Sequence, residues 1–91
     1  MNEHVERFWG IEYVNGHQWI GKVDSHWTLG DIGSAMLFRM EDEAARVRQA
    51  VYEEGADRIA RKESVASQWW RDVTGGLLQV QAIEVVTRKV P

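Results

Sequence analysis

ERFWGIEYVNGHQWIGKV, residues 6–23, has the pattern of two β-strands joined by a tight turn. Aromatic and β-branched residues dominate both arms, and such residues are enriched in strands. Asn15-Gly16 lies between the arms and supplies the two positive-φ positions of a type I′ turn. The sequence therefore predicts a β-hairpin over residues 7–23.

The two-residue turn also determines which residues of the two arms face each other. It places Glu12 opposite Trp19 and Gly10 opposite Gly21, and the two glycines leave a shallow trough beside Trp19. The apolar side chains then divide between two faces, one with Trp9, Ile11, Tyr13 and Ile20 and the other with Phe8, Val14, Trp19 and Val23. One helix layer covers only one face, so the other is either a contact surface or is covered by a second helix.

TLGDIGSA, residues 28–35, follows the hairpin and contains the glycines found in several kinds of binding loop. It lacks the glycine spacing and lysine of a phosphate-binding loop, and it lacks the alternating oxygen ligands of a calcium loop. We therefore interpret it as a connection in which Asp31 caps one helical turn over residues 32–35. The apolar run AMLF then predicts a short strand over residues 35–39.

A helical period begins after this predicted strand. One stripe of the helix holds Met40, Ala44, Val47 and Val51, and its first turn holds the acids Glu41, Asp42 and Glu43. Gly55 is a residue type that often ends helices, which predicts one helix over residues 41–54 and a second over residues 57–73. Because Val51 and Gly55 stay in phase, one longer bent helix is the alternative.

LLQVQAIEVVTRKV, residues 77–90, predicts a final strand over residues 77–88. Its β-branched run is long enough to lie in the centre of a sheet, and a slip in the alternation near Ala82 indicates a bulge. The element order is β-β-β-α-α-β. The predicted fold class is α+β, a single domain over residues 1–91 in which an antiparallel sheet of three to four strands carries one or two packed helices.

The composition is that of a small globular domain. The chain has 91 residues, of which 44% are hydrophobic, and no cysteine. The lack of cysteine excludes disulfides, thiolate zinc sites and cysteine nucleophiles. The N-terminus opens acidic without a long apolar core, and no apolar run approaches the ~20 residues of a membrane helix. We therefore expect a soluble, cytoplasmic protein with no membrane association.

The charge is distributed unevenly along the chain. Residues 1–55 carry ten acids and five bases, a net charge of −5, whereas residues 56–91 carry four acids and six bases, a net charge of +2. A nucleic-acid-binding protein usually has a basic stripe, so we expect no direct nucleic-acid binding. A basic protein partner fits the acidic half, and the alternative is a solvated acidic face.

Candidate catalytic and metal-binding residues are few and scattered. His4, His17 and His26 are spaced irregularly, without an HxH or HxxxH pair. Ser25 adjoins His26, but neighbours on a strand point to opposite faces. We therefore expect no metal, no cofactor and no enzymatic activity.

Five tryptophans are unusual in a chain of this length. Trp69 and Trp70 are adjacent and lie about 100° apart on a helix, so they do not both face the core. Tryptophan is enriched at interface hot spots, which makes Trp19 and one of this pair candidates for contact with a partner. The alternative is that tryptophans fill a thin core, and we expect this of Trp9.

The chain resembles a loose group of small phage and mobile-element proteins. The resemblance lies in an N-G turn, a W-I strand, a W-T pair, a D-initiated turn, an A-x-x-F segment, an E-A-x-x-V helix and a V-x-V type closing strand. The matching residues are Asn15-Gly16, Trp19-Ile20, Trp27-Thr28, Asp31, Ala35, Phe38, Glu43-Ala44, Val47, Ile83 and Val85. Two features depart from the pattern. Met40 stands where a Ser or Asp cap is usual, and residues 56–76 look like an addition.

Many proteins of that group bind and block a host protein, and the anti-CRISPR proteins are one such functional class. The resemblance implies a non-enzymatic inhibitor of a bacterial defence or host complex, with a CRISPR effector as one candidate partner. The predicted partner-binding residues are Trp19, Glu41, Asp42, Glu43, Glu53, Glu54, Trp69 and Trp70. Two alternatives are a homo-oligomeric (homodimeric) structural module and a small-ligand or nucleotide-binding module that uses the trough beside Trp19.

Overall fold

In the part of the chain that the structure describes, four antiparallel strands form one sheet, and one long helix packs against it. The computed structural model describes residues 3–14, 17–24, 26–60, 71 and 75–88. The strands are β1 (Glu3–Tyr13), β2 (Gln18–Val23), β3 (His26–Gly30) and β4 (Leu78–Arg88), and the helix α1 is Glu41–Ala60. Their order in the sheet is β3-β2-β1-β4. The α+β class and the antiparallel sheet are confirmed, with α1 as the one long helix in the described residues.

The hairpin of β1 and β2 has the predicted register. Glu12 pairs with Trp19 and Tyr13 pairs with Gln18, as a two-residue turn requires. The turn residues, 15 and 16, lie outside the described residues. Local turn chemistry therefore gave the correct pairing next to the turn. The predicted pairing does not extend to Gly10 and Gly21, because the two strands separate there and Trp9 pairs with Phe38.

The third strand is not where the sequence predicted it. The structure places it earlier, in β3, where Ile20 pairs with Leu29 and Lys22 pairs with Trp27. Its aromatic and β-branched residues continue the hairpin directly, so this strand forms by local pairing. The predicted strand over residues 35–39 was wrong as a regular strand.

Residues 35–39 instead enter the sheet between β1 and β2 without forming a regular strand. The Met36 amide donates to the Ile20 carbonyl at 3.0 Å, while Trp9 and Phe38 exchange amide-to-carbonyl bonds of 2.7 and 2.8 Å. Asp31 caps a short 3-10 helix (Ile32–Ser34) just before it, because its Oδ1 accepts from the Ser34 amide at 3.2 Å. The predicted helical turn is confirmed.

Helix α1 begins where predicted but ends later. It continues through Gly55, which is buried, so the prediction of a helix end there was wrong and the longer helix is correct as far as Ala60. Ala44 and Val51 are fully buried on the same stripe. Met40 is 59% exposed and lies outside that stripe, contrary to the prediction.

The predicted second helix over residues 57–73 is only partly described. Residues 57–60 belong to α1 and Arg71 is helical, and residues 61–70 and 72–73 lie outside the described residues. Trp69 and Trp70 are therefore among the residues on which the structure gives no information.

Strand β4 is confirmed in extent and corrected in detail. It pairs with β1 without interruption from Glu3–Arg88 to Tyr13–Leu78, so the predicted bulge near Ala82 is absent. It lies at the edge of the sheet and not in its centre.

The core lies between the sheet and α1. Ile11, Ile20, Val51 and Leu78 are its largest fully buried side chains. Trp9 is partly buried against this cluster, as expected. The predicted division of the hairpin into two faces is correct, and α1 covers the face that carries Ile11 and Ile20.

Candidate functional site

The sheet face opposite α1 carries a small apolar cluster around Trp19. Strand alternation places Phe8, Gly10, Trp19 and Ile83 on this side. Ile83 is only 6% exposed, although it lies away from the main core, while Phe8 and Trp19 are half-buried. We call this side of the sheet the Trp19 face.

Gly10 is the floor of this cluster. A Cβ atom on Gly10 would lie 2.6 Å from Ile83 Cδ1 and 3.1 Å from Trp19 Cζ3. The two side chains therefore rest directly on the glycine backbone. Ile83 was missed as a member of this site because it comes from β4, whose position beside β1 is a long-range pairing.

Gly21, the second glycine of the predicted trough, is also covered. A Cβ atom there would lie 2.6 Å from the Ser34 carbonyl oxygen and 2.9 Å from Thr28 Oγ1. Both glycines are buried. The expected trough is filled by the protein's own atoms, so the structure offers no open ligand site above Gly10 and Gly21.

The strands contribute acidic side chains to the Trp19 face, and Arg39 adds a cation beside Phe8. Glu12 lies directly across from Trp19, and Glu6 follows on the same side of β1. A hydrogen bond from His4, 2.9 Å from Glu6 Oε1, lowers the pKa of the Glu6 carboxyl below its ordinary value; desolvation opposes this lowering, and the charges of His4 and Arg39 add to it. Glu6 is therefore ionised at neutral pH. Arg39 lies above the Phe8 ring, at 5.4 Å from its centroid.

The acids of α1 lie on the other side of the sheet. Glu41, Asp42 and Glu43 are exposed in the first turn, where negative charge stabilises the helix N-terminus. Glu53 is about ten residues further on, roughly 15 Å along the axis at 1.5 Å per residue. The neighbouring Glu54 is paired with a base of its own helix, at 3.3 Å from Arg58. The structure brings the first three acids together and separates them from the other two.

Trp19 and the α1 acids therefore do not form one contact surface. The helix covers one face of the sheet and Trp19 belongs to the other, so a flat partner surface reaches only one of the two groups. Trp69 and Trp70, the remaining predicted contact residues, lie outside the described residues.

The end of the sheet distant from α1 is a two-stranded ribbon, made of residues 3–8 of β1 and 83–88 of β4. Two ion pairs cross it, Glu3 with Arg88 at 2.7 Å and Arg7 with Glu84 at 3.1 Å. All four side chains are at least half exposed, so each pair contributes little to stability. The ribbon gives the described residues an elongated shape, 55 × 24 × 24 Å.

Among the described residues, a shallow depression of about 230 Å³ lies beside α1, lined by Gln49, Tyr52, Glu53 and Ala56. The Tyr52 hydroxyl donates to the Leu78 carbonyl at 3.4 Å, so this hydroxyl links α1 to β4. Within the described ranges, no three His, Asp or Glu side chains come close enough together to hold a metal ion. No helix in the described part of the chain combines the length and the apolar character needed to cross a membrane.

Comparison of the chain with protein-family models, with curated protein sequences and with solved structures finds no match. The fold and the surface therefore carry the functional argument: an α+β domain with a helix on one sheet face and an acidic, tryptophan-bearing surface on the other.

Proposed function

We propose that this chain is a non-enzymatic protein-binding module that engages a basic surface of a partner through the Trp19 face. The observation that carries the proposal is the placement of a half-buried tryptophan directly across from Glu12, with Glu6 further along the same side of β1, on the sheet face that α1 leaves uncovered. A tryptophan already held by Gly10 and Ile83 loses little side-chain entropy on binding, which favours an anchor role.

Electrostatics supports a basic partner. Glu6 and Glu12 are the acids that β1 presents on this face, and the four strands present no lysine or arginine there. Val23, on the same face, is 59% exposed and extends the apolar area. Arg39, which lies beside Phe8, offsets part of this acidic charge. An apolar centre with charged side chains at its rim is the arrangement that gives both affinity and orientation to a complex.

The specific form of the proposal is an inhibitor of a bacterial defence or host complex, encoded by a phage or mobile element and anti-CRISPR in type. Its support is the resemblance described above, together with an acidic surface that suits a groove normally occupied by nucleic acid. The mechanism is steric and electrostatic occlusion.

A binding titration against purified CRISPR effector complexes tests this proposal. We expect Val23→Lys to abolish binding, because it adds a positive charge to the face that meets a basic partner. Met40→Lys is the matched control, since Met40 is equally exposed at 59% but precedes α1. Equal binding by both variants would contradict the Trp19 face as the contact.

Charge reversal of Glu41, Asp42 and Glu43 to lysine separates the two acidic surfaces. The Trp19-face proposal expects binding to persist in this triple variant. Loss of binding with a normal thermal melt would assign the contact to α1 instead. No binding of the wild-type chain to any effector complex would remove the anti-CRISPR form of the proposal.

A further inference from the structure

Within the part of the chain that the structure describes, strand β4 has an open outer edge. It is the last strand in the order β3-β2-β1-β4, and among the described residues it pairs along its whole length with β1 alone. The Val14 amide donates to the Leu77 carbonyl at 3.0 Å, which sets the phase of the ladder. Along an antiparallel ladder, residues whose backbone groups face the partner strand alternate with residues whose backbone groups face away from it. The odd-numbered residues of β4, like Leu77, therefore direct their backbone N–H and C=O groups towards β1, and the even-numbered residues direct theirs outward.

The described residues protect only the first position of this edge. There the Tyr52 hydroxyl donates to the Leu78 carbonyl. Among the described residues, no hydrogen bond reaches the outward-facing backbone groups from Val80 to Arg88. Unpaired strand edges readily recruit another strand.

The sequence of β4 lacks several of the features that prevent edge pairing, although it carries Glu84 and Arg88. Its eleven residues contain no proline, lysine or glycine, and its register against β1 has no bulge. Val85 and Val86 are 37% and 49% exposed. The opposite edge is blunter, because β3 has only five residues. A long, regular, β-branched edge favours intermolecular pairing.

The ribbon gives a reason for such pairing. Two strands alone are marginally stable in water, and residues 3–8 and 83–88 extend beyond the helix-covered core. The ribbon carries three carboxylates (Glu3, Glu6, Glu84) and two guanidiniums (Arg7, Arg88), a net charge of −1 with histidine neutral. Two identical ribbons therefore approach with little repulsion.

We propose that β4 pairs antiparallel with β4 of a second copy of this chain, about a two-fold axis at Val85, to form one continuous eight-stranded sheet. This register places Glu84 opposite Val86 of the second copy and Ile83 opposite Thr87. It also sets Glu84 diagonal to two residues of the second copy, Arg88, which is a favourable pair, and Glu84, which is an unfavourable one. The outward-facing even residues become the hydrogen-bonded ones, as the ladder requires.

Neighbouring registers are less favourable. An axis at Val86 sets Glu84 opposite the Arg88 of the second copy, but it pairs only residues 84–88 of β4, whereas the axis at Val85 pairs residues 82–88. An axis at Glu84 places that carboxylate opposite its own copy, and like charges directly opposite are destabilising. An axis at Ile83 requires the Leu78 carbonyl, which Tyr52 already occupies. In the proposed dimer both Trp19 faces lie on the same side of the sheet, so pairing leaves the surface of the proposed function free.

Light scattering on the full chain during size-exclusion chromatography tests the dimer. We expect the wild-type chain to elute with twice the monomer mass at high concentration and to dissociate on dilution. Val85→Lys and Val85→Glu each place like charges at the two-fold axis, so each is expected to be monomeric. Val23→Lys, an exposed position on β2, is the control and is expected to remain dimeric.

Mixing the two Val85 variants makes the test independent of folding defects. Opposite charges then meet at the axis, and we expect a heterodimer to form. A monomeric wild type, dimers of either single variant, or no heterodimer on mixing would each overturn the proposal. Val23→Lys tests binding to the partner, whereas the two Val85 variants test dimer formation. The experiments therefore distinguish a wrong dimer proposal from a wrong proposed function.

Discussion

Gly21→Ala introduces a methyl group against the backbone of the 3-10 helix. The new Cβ atom would lie 2.6 Å from the Ser34 carbonyl oxygen, whereas an ordinary contact is roughly 3.5 Å. The carbonyl has little freedom to move. The Ser34 amide is bonded to Asp31, and the Met36 amide two residues on is bonded to Ile20. Relief of the contact therefore requires a shift of the segment that enters between β1 and β2.

The expected destabilisation follows from these contacts. Overpacking of a well-packed site costs about 1–3 kcal/mol, and weakening one backbone hydrogen bond costs about 1 kcal/mol more. The lower chain entropy of unfolded alanine offsets roughly 0.5–1 kcal/mol. We expect a net loss of about 1–3.5 kcal/mol. At about 4–8 °C per kcal/mol for a domain of this size, Tm falls by roughly 4–28 °C.

Urea denaturation followed by tryptophan fluorescence, with a thermal melt by circular dichroism, measures this loss. Gly33→Ala is the control, because its Cβ atom would be 3.4 Å from Asp31 Oδ1 and otherwise unobstructed. Gly10→Ala should be intermediate, since its nearest obstacle is the flexible end of Ile83. A free energy of unfolding for Gly21→Ala within about 0.5 kcal/mol of wild type, the range of ordinary surface substitutions, would refute the reasoning.

Three further predictions concern the helix start, the ribbon and the core. Met40→Ser should stabilise the protein by about 1 kcal/mol in urea denaturation, because a hydroxyl just before α1 caps its free amides; an unchanged midpoint would show that the amides are already satisfied. His4→Ala should return the pKa of Glu6 towards its ordinary value, which carbon NMR of the carboxyl measures. Because the pKa of Glu6 is lower in the folded protein than in the unfolded chain, its carboxylate stabilises the fold above the unfolded pKa. This stabilisation is lost as the pH falls through the folded pKa. Glu6→Gln should therefore weaken the fall of the free energy of unfolding with decreasing pH. Ile20→Ala should lower the free energy of unfolding by about 2–5 kcal/mol, because this side chain is fully buried. Ile32→Ala should change it little, because Ile32 is 54% exposed. Equal losses in the two variants would contradict the assigned core.

Several features of the fold were accessible from the sequence because they depend on neighbours along the chain. Asn15-Gly16 gave the correct register between Glu12 and Trp19 without any knowledge of the rest of the sheet. Asp31 gave the capped turn, because its side chain reaches an amide only three residues away. The start of α1 followed from the change of hydrophobic period. Such signals act over a few residues, where turn chemistry and periodicity dominate.

The candidate site was predicted only in part, because its assembly depends on long-range pairing. Trp19 was identified as a contact residue from its type, but Ile83 was not, since no local pattern places β4 beside β1. The acids of α1 were grouped with Trp19 in sequence terms, and only the packing of the helix showed that the sheet separates them.

The sequence by itself determined the hairpin, the capped turn, the helix start and the extent of the last strand. Only the tertiary structure decided that β4 lies at an edge, that Met36 and Phe38 enter between β1 and β2, and that Gly10 and Gly21 are covered. The physical reason is competition. Several apolar strands can pair with β1, and the arrangement that buries Ile11, Ile20 and Leu78 under one helix is chosen by the whole chain at once.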